Sequence, residues 1–226
     1  MDSPGPLKFD AYADQYRELM ETSLKASGEN AEYFSEYKLN CLRRFGAPLG
    51  EPLVDFGAGT GAVTEVLVRA FRDVTAYEPS QASLEHLRRR VPAAKCAGAE
   101  QALPPSHFST AVCSGVLHHV PVAERRDLLV RLRSKLRPGG RLFVFEHNPL
   151  NPLTRRAVAA CPFDDDAILL WPWQLRPLFR SAGFEVQRID YIVFFPRILG
   201  MLRPLEPRLR RVVFGAQTLS VLRNPG

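Results

Sequence analysis

Three glycines and one acid in the first half of the chain have the types and spacing of a nucleoside-binding site. Gly57, Gly59 and Gly61 follow a short apolar run in "PLVDFGAGTGAVTEVL", directly before a segment with helical periodicity. Glycine permits a tight turn and close approach of a ligand, and the first N–H groups of a following helix point over such a turn. These glycines alone also fit a simple strand-to-helix turn. Glu78 favours the nucleoside site, because it follows about 20 residues later, at the usual position of a ribose-binding carboxylate.

Asp55, just before the glycines, indicates which nucleoside is bound. A dinucleotide site has the pattern GxGxxG and places a pyrophosphate at the helix N-terminus. This chain has GxGxG preceded by an acid, which would repel a pyrophosphate but suits a ligand with a positive amino group. The pattern therefore favours S-adenosylmethionine, which carries an α-amino group and a sulfonium and no phosphate.

The segments that must position these residues alternate between strand and helix patterns. Five apolar strand segments, "PLVDFG", "DVTAYEP", "AAKCAGA", "FSTAVCSGV" and "RLFVFEH", are separated by helical segments, the last of which is "AERRDLLVRLRSKLRPGG", closed by Pro-Gly-Gly. A further helix and two strands, "EVQRIDYIVFF" and "AQTLSVLRN", follow. Such alternation implies βαβ units with right-handed crossovers. It predicts an α/β, Rossmann-like, doubly wound, seven-stranded sheet of five parallel strands and a terminal antiparallel hairpin.

The chain is expected to form one domain over residues 1–226. We predict a helical cap at 7–45, a cofactor-binding core at 52–147, a lid at 149–171, and a C-terminal helix and hairpin at 172–226. The basic apolar segment 196–214 has the composition of a membrane-contacting surface. Prolines at 204 and 207 interrupt any continuous helix there, so we favour a cap over the pocket with its arginines pointing to water.

Composition restricts the class of protein. No apolar run is long enough for a spanning helix, and the N-terminus lacks the order of a secretory signal. The four cysteines show no paired spacing, which favours free thiols and a cytoplasmic location. The net charge of +6 is concentrated near the C-terminus. That excess could attract nucleic acid or an anionic membrane, but a solvated basic face is the favoured interpretation.

The three consecutive acids Asp164, Asp165 and Asp166 could indicate a metal site or a cationic substrate. Consecutive side chains do not converge on one ion, and the Asp-x-Asp-x-Asp spacing of a calcium loop is absent. The sequence therefore predicts a solvated turn and no metal.

The motifs "LVDFGAGTG", "YEPS", "SGVLHHV" and "LRPGGRLFVFEH", in this order, resemble the class I S-adenosylmethionine-dependent methyltransferases. The resemblance extends over Pro52 to His147, with a weaker match to the terminal helix and hairpin. It is strongest with the small-molecule enzymes that include the methyltransferases of ubiquinone and menaquinone biosynthesis. It implies a fold and a cofactor, but not an acceptor.

The resemblance also implies which residues contact the cofactor. They are Asp55, Gly57 and Gly59 at the methionine end, Gly61 where the helix packs, Glu78 at the ribose, Pro79 and Ser80 beside the adenine, Ala99 and Glu100 at the adenine edge, Ser114 and Val116 in the methyl-transfer cavity, and Tyr12 and Tyr16 closing over the site. Many relatives have Asp where this chain has Ala99, so Glu100 or a backbone N–H is expected to replace it. Packing within a helix is an equally good interpretation of the tyrosines.

Methyl transfer to a hydroxyl needs a base, and three histidines are candidates. His118 and His119 follow the fourth strand, and His147 follows the fifth. Imidazole can take a proton near pH 7, and we favour His119, although a structural pair at a helix cap is the alternative. Glu146 and Asn148 are expected to orient a polar substrate.

The sequence thus predicts a methyltransferase that acts on a small-molecule acceptor at O, N, S or C. The same fold and cofactor also serve cyclases and lyases, which need no methyl acceptor. A nucleic-acid methyltransferase is a third interpretation, against which the chain lacks an Asn/Asp-Pro-Pro-aromatic signature.

Overall fold

The computed structural model describes residue 24 and residues 27–45 and 49–226. Seven strands alternate with helices along the chain. The strands are β1 (Leu53–Phe56), β2 (Val74–Tyr77), β3 (Lys95–Ala97), β4 (Phe108–Ser114), β5 (Leu136–His147), β6 (Glu185–Ile192) and β7 (Gln217–Arg223). The α-helices of the described residues are α1 (Ala31–Phe45), α2 (Ala62–Ala70), α3 (Gln81–Arg90), α4 (Arg125–Lys135), α5 (Pro152–Ala159), α6 (Pro172–Ser181) and α7 (Glu206–Leu209).

The strands form one mixed sheet in the order β3-β2-β1-β4-β5-β7-β6. The first five strands are parallel, and β7 inserts antiparallel between β5 and β6. This confirms the predicted seven-stranded sheet with its terminal antiparallel hairpin. The chain builds outward from β1 to β3 and then returns to place β4 on the other side of β1. Such a reversal opens a crevice at the carboxyl ends of β1 and β4, where ligands bind in folds of this type.

Alternation along the strands divides the core between the two faces of the sheet. In β1, Val54 and Phe56 pack into the cluster that contains α4 and α6, whereas Leu53 packs with α1 and α2. Asp55 therefore faces the same side as Leu53. This alternation places a buried carboxylate beneath α1, at the end of the strand that borders the crevice.

Two predicted boundaries are wrong. The helix α4 ends at Lys135, and the "LRPGG" stretch belongs to β5. It pairs with β4 through an irregular register between Phe108 and Thr110, which accommodates the extra residues. The strand predicted over "EVQRIDYIVFF" ends at Ile192, because the next residue, Val193, has a positive φ of 62° and turns the chain.

The segment after β6 holds α1 in place. The buried carboxylate of Glu206 accepts hydrogen bonds from the Tyr37 hydroxyl and from the backbone N–H groups of Phe194 and Phe195. Arg203 lies over the Tyr33 ring at 4.3 Å and pairs with Glu29. The expectation that the arginines of this segment point to water is therefore wrong for Arg203. No helix among the described residues is long and apolar enough to cross a membrane.

Gly61 fixes the packing of α2 on α3. It caps α2 in the left-handed region with φ 88°, and a Cβ there would lie 2.7 Å from Cδ1 of Leu87, which is itself fully buried. Gly139 has a similar φ of 78°, but a Cβ at that position would meet nothing within 4 Å.

We expect Gly61→Ala to lower the free energy of unfolding by about 2–4 kcal/mol, because it adds a steric clash to the cost of positive φ. Gly139→Ala has only the cost of a positive φ, so its free energy of unfolding should fall by about 1 kcal/mol. Urea unfolding of both variants measures the difference. Equal losses would contradict the packing role of Gly61.

Candidate active site

A cavity of about 490 Å³ lies in the crevice at the carboxyl ends of the parallel strands. Its volume is within the range of small-molecule sites, about 300–1,000 Å³. The first half is lined by the glycine turn and the end of β2, and the second by the turn after β4, the end of β5 and α5. Helix α1 contributes Phe34, Ser35 and Lys38 to the wall.

The glycine turn brings the loops after β1 and β4 into contact and leaves open space above it. Gly57 has φ 78°, and a Cβ there would lie 2.5 Å from Cγ2 of Val116. Gly59 has φ 55°, and a Cβ there would meet nothing within 4 Å. The turn therefore presents bare backbone to the cavity, as a cradle for a ligand requires.

Glu78 holds the rim of this cradle. Its side chain is buried at the end of β2, where Oε2 accepts the N–H of Gly59 at 2.8 Å and Oε1 accepts the N–H of Ser80 at 2.9 Å. These two bonds fix the plane of the carboxylate. A carboxylate has about four acceptor sites, which is the number that two backbone N–H groups and the two hydroxyls of a ribose would use.

A carboxylate and an ammonium face each other beneath α1. Asp55 accepts the hydroxyl of Thr64 at 2.7 Å, and burial raises the pKa of this carboxyl to about 6, although Thr64 and Lys38 oppose that rise. Burial lowers the pKa of Lys38 to about 8, although Asp55 and Glu146 oppose that fall. Each group therefore keeps a charge at neutral pH at some cost, and a zwitterionic ligand would complement both.

Comparisons with known proteins agree with this geometry. A family model described as a methyltransferase domain matches residues 54–144. An uncharacterized methyltransferase of Geobacillus sp. (strain WCH70) is 25% identical over 138 residues, which span 59% of this chain and 63% of that protein. Residues 54–144 thus match a methyltransferase domain, and the fold of the chain is that of the class I S-adenosylmethionine-dependent methyltransferases. The glycine cradle and the buried carboxylate of Glu78 fit that cofactor.

Solved structures share the fold at low identity. The phosphoethanolamine N-methyltransferase 2 of Haemonchus contortus, in complex with S-adenosyl-L-methionine, has a TM-score of 0.66 and 15% identity. That alignment covers 100% of this chain and 62% of the other. The [4+2]-cyclase SpnF has a TM-score of 0.61 and 16% identity, with 98% of each chain covered. These likenesses concern the fold, and the ubiquinone group is not singled out among them.

Most of the predicted site residues of the domain line the cavity. They are Asp55, Gly57, Gly59, Glu78, Pro79, Glu100, Ser114, Val116, His118, His119 and His147. The carboxylate of Glu100 is held by Arg131 at 3.1 Å, and Tyr77 and Leu128 form the wall beside this pair.

Three predicted positions lie outside the cavity lining, and two more lie outside the described residues. Ser80 is buried and accepts the N–H of Ser83 as the N-cap of α3, so its hydroxyl is used within the fold. Ala99 is exposed at the start of a 3₁₀ turn, and Gly61 acts in packing. Tyr12 and Tyr16 are in the part of the chain that the structure does not describe.

The buried carboxylate of Glu146 organises the turn that carries two of the histidines. It accepts the N–H groups of Val116 and Leu117, and its Oε2 lies 2.6 Å from Nδ1 of His118. Burial disfavours a charged His118, but Glu146 and Asp164 outweigh it and raise the pKa of His118 to about 9. Burial raises the pKa of Glu146, but His118 outweighs it and lowers the pKa.

The prediction of a solvated turn at the acidic run is wrong for Asp164. Its side chain is 7% exposed, and its Oδ1 lies 3.7 Å from Nε2 of His118 and 3.3 Å from Nε2 of His119. Burial raises the pKa of Asp164, but the nearby His118 and His119 side chains outweigh this effect and hold the pKa well below its usual range. A 3₁₀ turn at Pro162–Asp164, rather than an extended loop, points this one acid inward.

His147, the last residue of β5, and the next residue, Asn148, differ in their surroundings. His147 lines the cavity, with its ring centroid 5.0 Å from that of His118, and burial and the charge of His118 lower its pKa to about 4. Asn148 is fully buried and donates to the carbonyls of Val213 and Gly215. Asn148 therefore anchors the C-terminal segment and is not available to orient a substrate, contrary to expectation.

Sequence reasoning missed Lys38 altogether. It lies in the third turn of α1. Nothing in the local sequence of this helix distinguishes a polar residue that faces solvent from one that faces a cavity. The signal appears only when the sheet topology places Asp55 beneath it.

The raised pKa of Asp55 predicts a pH dependence of binding. We expect S-adenosylhomocysteine, which carries the same ammonium group, to bind about tenfold more weakly at pH 5 than at pH 7, because protonation of Asp55 removes its charge. Lys38, the charged residue that faces Asp55, stays protonated over this range.

Calorimetric titration at the two pH values measures this change. Asp55→Asn should bind weakly at both pH values, whereas Asp73→Asn, at a half-exposed residue just before β2, should keep the pH dependence of the parent protein. A pH-independent affinity in the parent protein would contradict the role of Asp55.

Proposed function

We propose that this protein transfers a methyl group from S-adenosylmethionine to a small-molecule acceptor. The observation that supports this most is the second half of the cavity, which continues past the glycine turn to His147, Asp164 and Val158. A cofactor held by Glu78 and Asp55 would fill the first half of the cavity, which we call the cofactor half. The second half, which we call the acceptor half, is then left for another molecule. Phe34 of α1 and Ala157 of α5 also line this cavity.

The residues of the first half match the cofactor group by group. Glu78 accepts the ribose hydroxyls, Asp55 pairs with the α-ammonium, and Lys38 complements the carboxylate of the methionine end. When bound, the cofactor supplies an electrophilic methyl group on a sulfonium, so positioning is the main task left to the protein. The contact between Gly57 and Val116 brings the wall of the acceptor half next to the methionine end.

In the acceptor half, His147 is the histidine best placed to accept a hydrogen bond from the acceptor, because its lowered pKa keeps the ring neutral at pH 7. His118 is engaged by Glu146, and both His118 and His119 face Asp164. His147 lines the cavity without such a carboxylate within salt-bridge distance among the described residues. The sequence favoured His119; the carboxylates around the His118–His119 pair move our proposal to His147.

The fold is also that of a [4+2]-cyclase, so a reaction without methyl transfer is the second candidate. One incubation separates the two. We expect S-adenosylhomocysteine and a product heavier by one methyl group, detected by mass spectrometry, only when the protein receives cofactor together with a suitable phenol, alcohol, amine or thiol. Consumption of the cofactor without an acceptor, or conversion of the second compound without loss of the methyl group, would overturn methyl transfer.

Glu78 provides a direct test of the cofactor half. We expect Glu78→Gln to weaken binding of S-adenosylhomocysteine by about 10- to 100-fold, because hydrogen bonds to a charged partner contribute about 1.5–3 kcal/mol. Glu85→Gln is the matched control, since Glu85 lies on α3 with its side chain 68% exposed. Equal affinities of the two variants in calorimetry, with equal melting temperatures, would contradict the assignment.

A further inference from the structure

His118, His119 and Asp164 bring three ligand atoms together at the edge of the acceptor half. One nitrogen from each histidine and one carboxylate oxygen all lie within 4.8 Å of one another. The two histidines are adjacent in the 3₁₀ turn Leu117–His119, yet their ring centroids are 4.1 Å apart, so both rings face the same side. Asp164 reaches them from a segment 45 residues further along the chain.

The distances within this cluster are not those of strong hydrogen bonds. For comparison, Nδ1 of His118 and Oε2 of Glu146, which lies beside the cluster, are 2.6 Å apart, the spacing of a charge-assisted hydrogen bond. Oδ1 of Asp164 instead lies 3.3 Å and 3.7 Å from the two Nε2 atoms. That oxygen is buried, and no donor in the described part of the chain is aligned with it. A buried carboxylate oxygen without a hydrogen bond is costly, which points to a missing partner.

The spacing matches that of ligands around one metal ion. Nitrogen and oxygen ligands lie about 2.0–2.2 Å from Zn²⁺. Two ligands at that distance, separated by angles between octahedral and tetrahedral, are about 3.0–3.5 Å apart. The separations of 3.3 Å and 3.7 Å from Oδ1 of Asp164 meet this range or exceed it by about 0.2 Å, and all three ligand atoms lie within 4.8 Å of one another.

The surroundings hold the ligands as a metal site requires. Metal-binding histidines usually donate their other N–H to a carboxylate, which fixes the tautomer; Glu146 takes this position on His118. The loop that carries Asp164 is tied to the histidine turn, because the N–H of Ile168 donates to the carbonyl of His118 at 2.8 Å. Arg125 links the carbonyls of Val120 and Ile168 on the two segments.

We propose that His118, His119 and Asp164 bind one divalent transition-metal ion. Two imidazoles and one carboxylate are typical ligands of Zn²⁺, Fe²⁺ and related ions. The set leaves coordination positions open toward the cavity, which His118, His119 and Asp164 all line. With the proposed function, on which this last step rests, those positions favour an acceptor with an oxygen donor, such as a phenol or an alcohol. The sequence predicted no metal, because it could not show that one acid of the run turns inward.

Metal binding can be tested without cofactor or acceptor. We expect the full chain, stripped with a chelator, to bind one Zn²⁺ or Co²⁺ per molecule in calorimetry, and Co²⁺ to give the visible absorption of a site with nitrogen ligands. Asp164→Asn should weaken binding by at least tenfold and remove the absorption. Asp165→Asn, the same change one residue away on an exposed side chain, should match the parent protein.

Glu146→Gln supplies a second measurement, with a smaller loss expected because it acts through His118. The melting temperature should rise on metal addition in the parent protein and in Asp165→Asn, but not in Asp164→Asn. Absence of Zn²⁺ and Co²⁺ binding in the parent protein, or equal binding in the two aspartate variants, would overturn the site. The protein could bind the metal without transferring a methyl group, or transfer a methyl group without binding the metal. The two proposals are therefore tested separately.

Discussion

One buried carboxylate, that of Glu146, determines the shape of the acceptor half. It accepts two backbone N–H groups of the turn after β4 and a ring nitrogen of His118, and thereby attaches that turn to β5. Because Val116 belongs to the same turn, the attachment also sets how closely the loop approaches Gly57. The glycine cradle and the histidines are consequently positioned by the same residue, although they serve different ligands.

The charges of the cofactor half are arranged at some energetic cost. Asp55 is buried and Lys38 is partly buried, and each only partly compensates the other, which is why their pKa values move toward neutrality from opposite sides. A ligand with both an ammonium and a carboxylate would offset this cost at both groups at once. We therefore expect selectivity for a zwitterion to follow from burial, with the geometry of hydrogen bonds adding to it.

Sequence patterns predicted the fold and the first half of the cavity because those features depend on local spacing. Strand alternation, the glycine turn and an acid at the next strand end are set within a few tens of residues. Ser80 carried a local signal as well, since a serine before a helix is a preferred N-cap. The inward turn of Asp164 and the position of Lys38 could not be predicted, because each depends on which distant element packs over it. For Asp164 that element is the histidine turn, and for Lys38 it is β1.

The anchoring of α1 by Glu206 affects the rate at which ligands exchange. Lys38 follows Tyr37 directly, so the residue that covers the methionine end is adjacent to the residue that ties the helix to the last segment of the chain. If the cofactor binds as proposed, we expect its release past this wall to require loosening of the Tyr37–Glu206 contact. Turnover would then depend on residues more than 150 positions apart in sequence, and we expect substitutions near the C-terminus to alter residence time while leaving every group in the cavity intact.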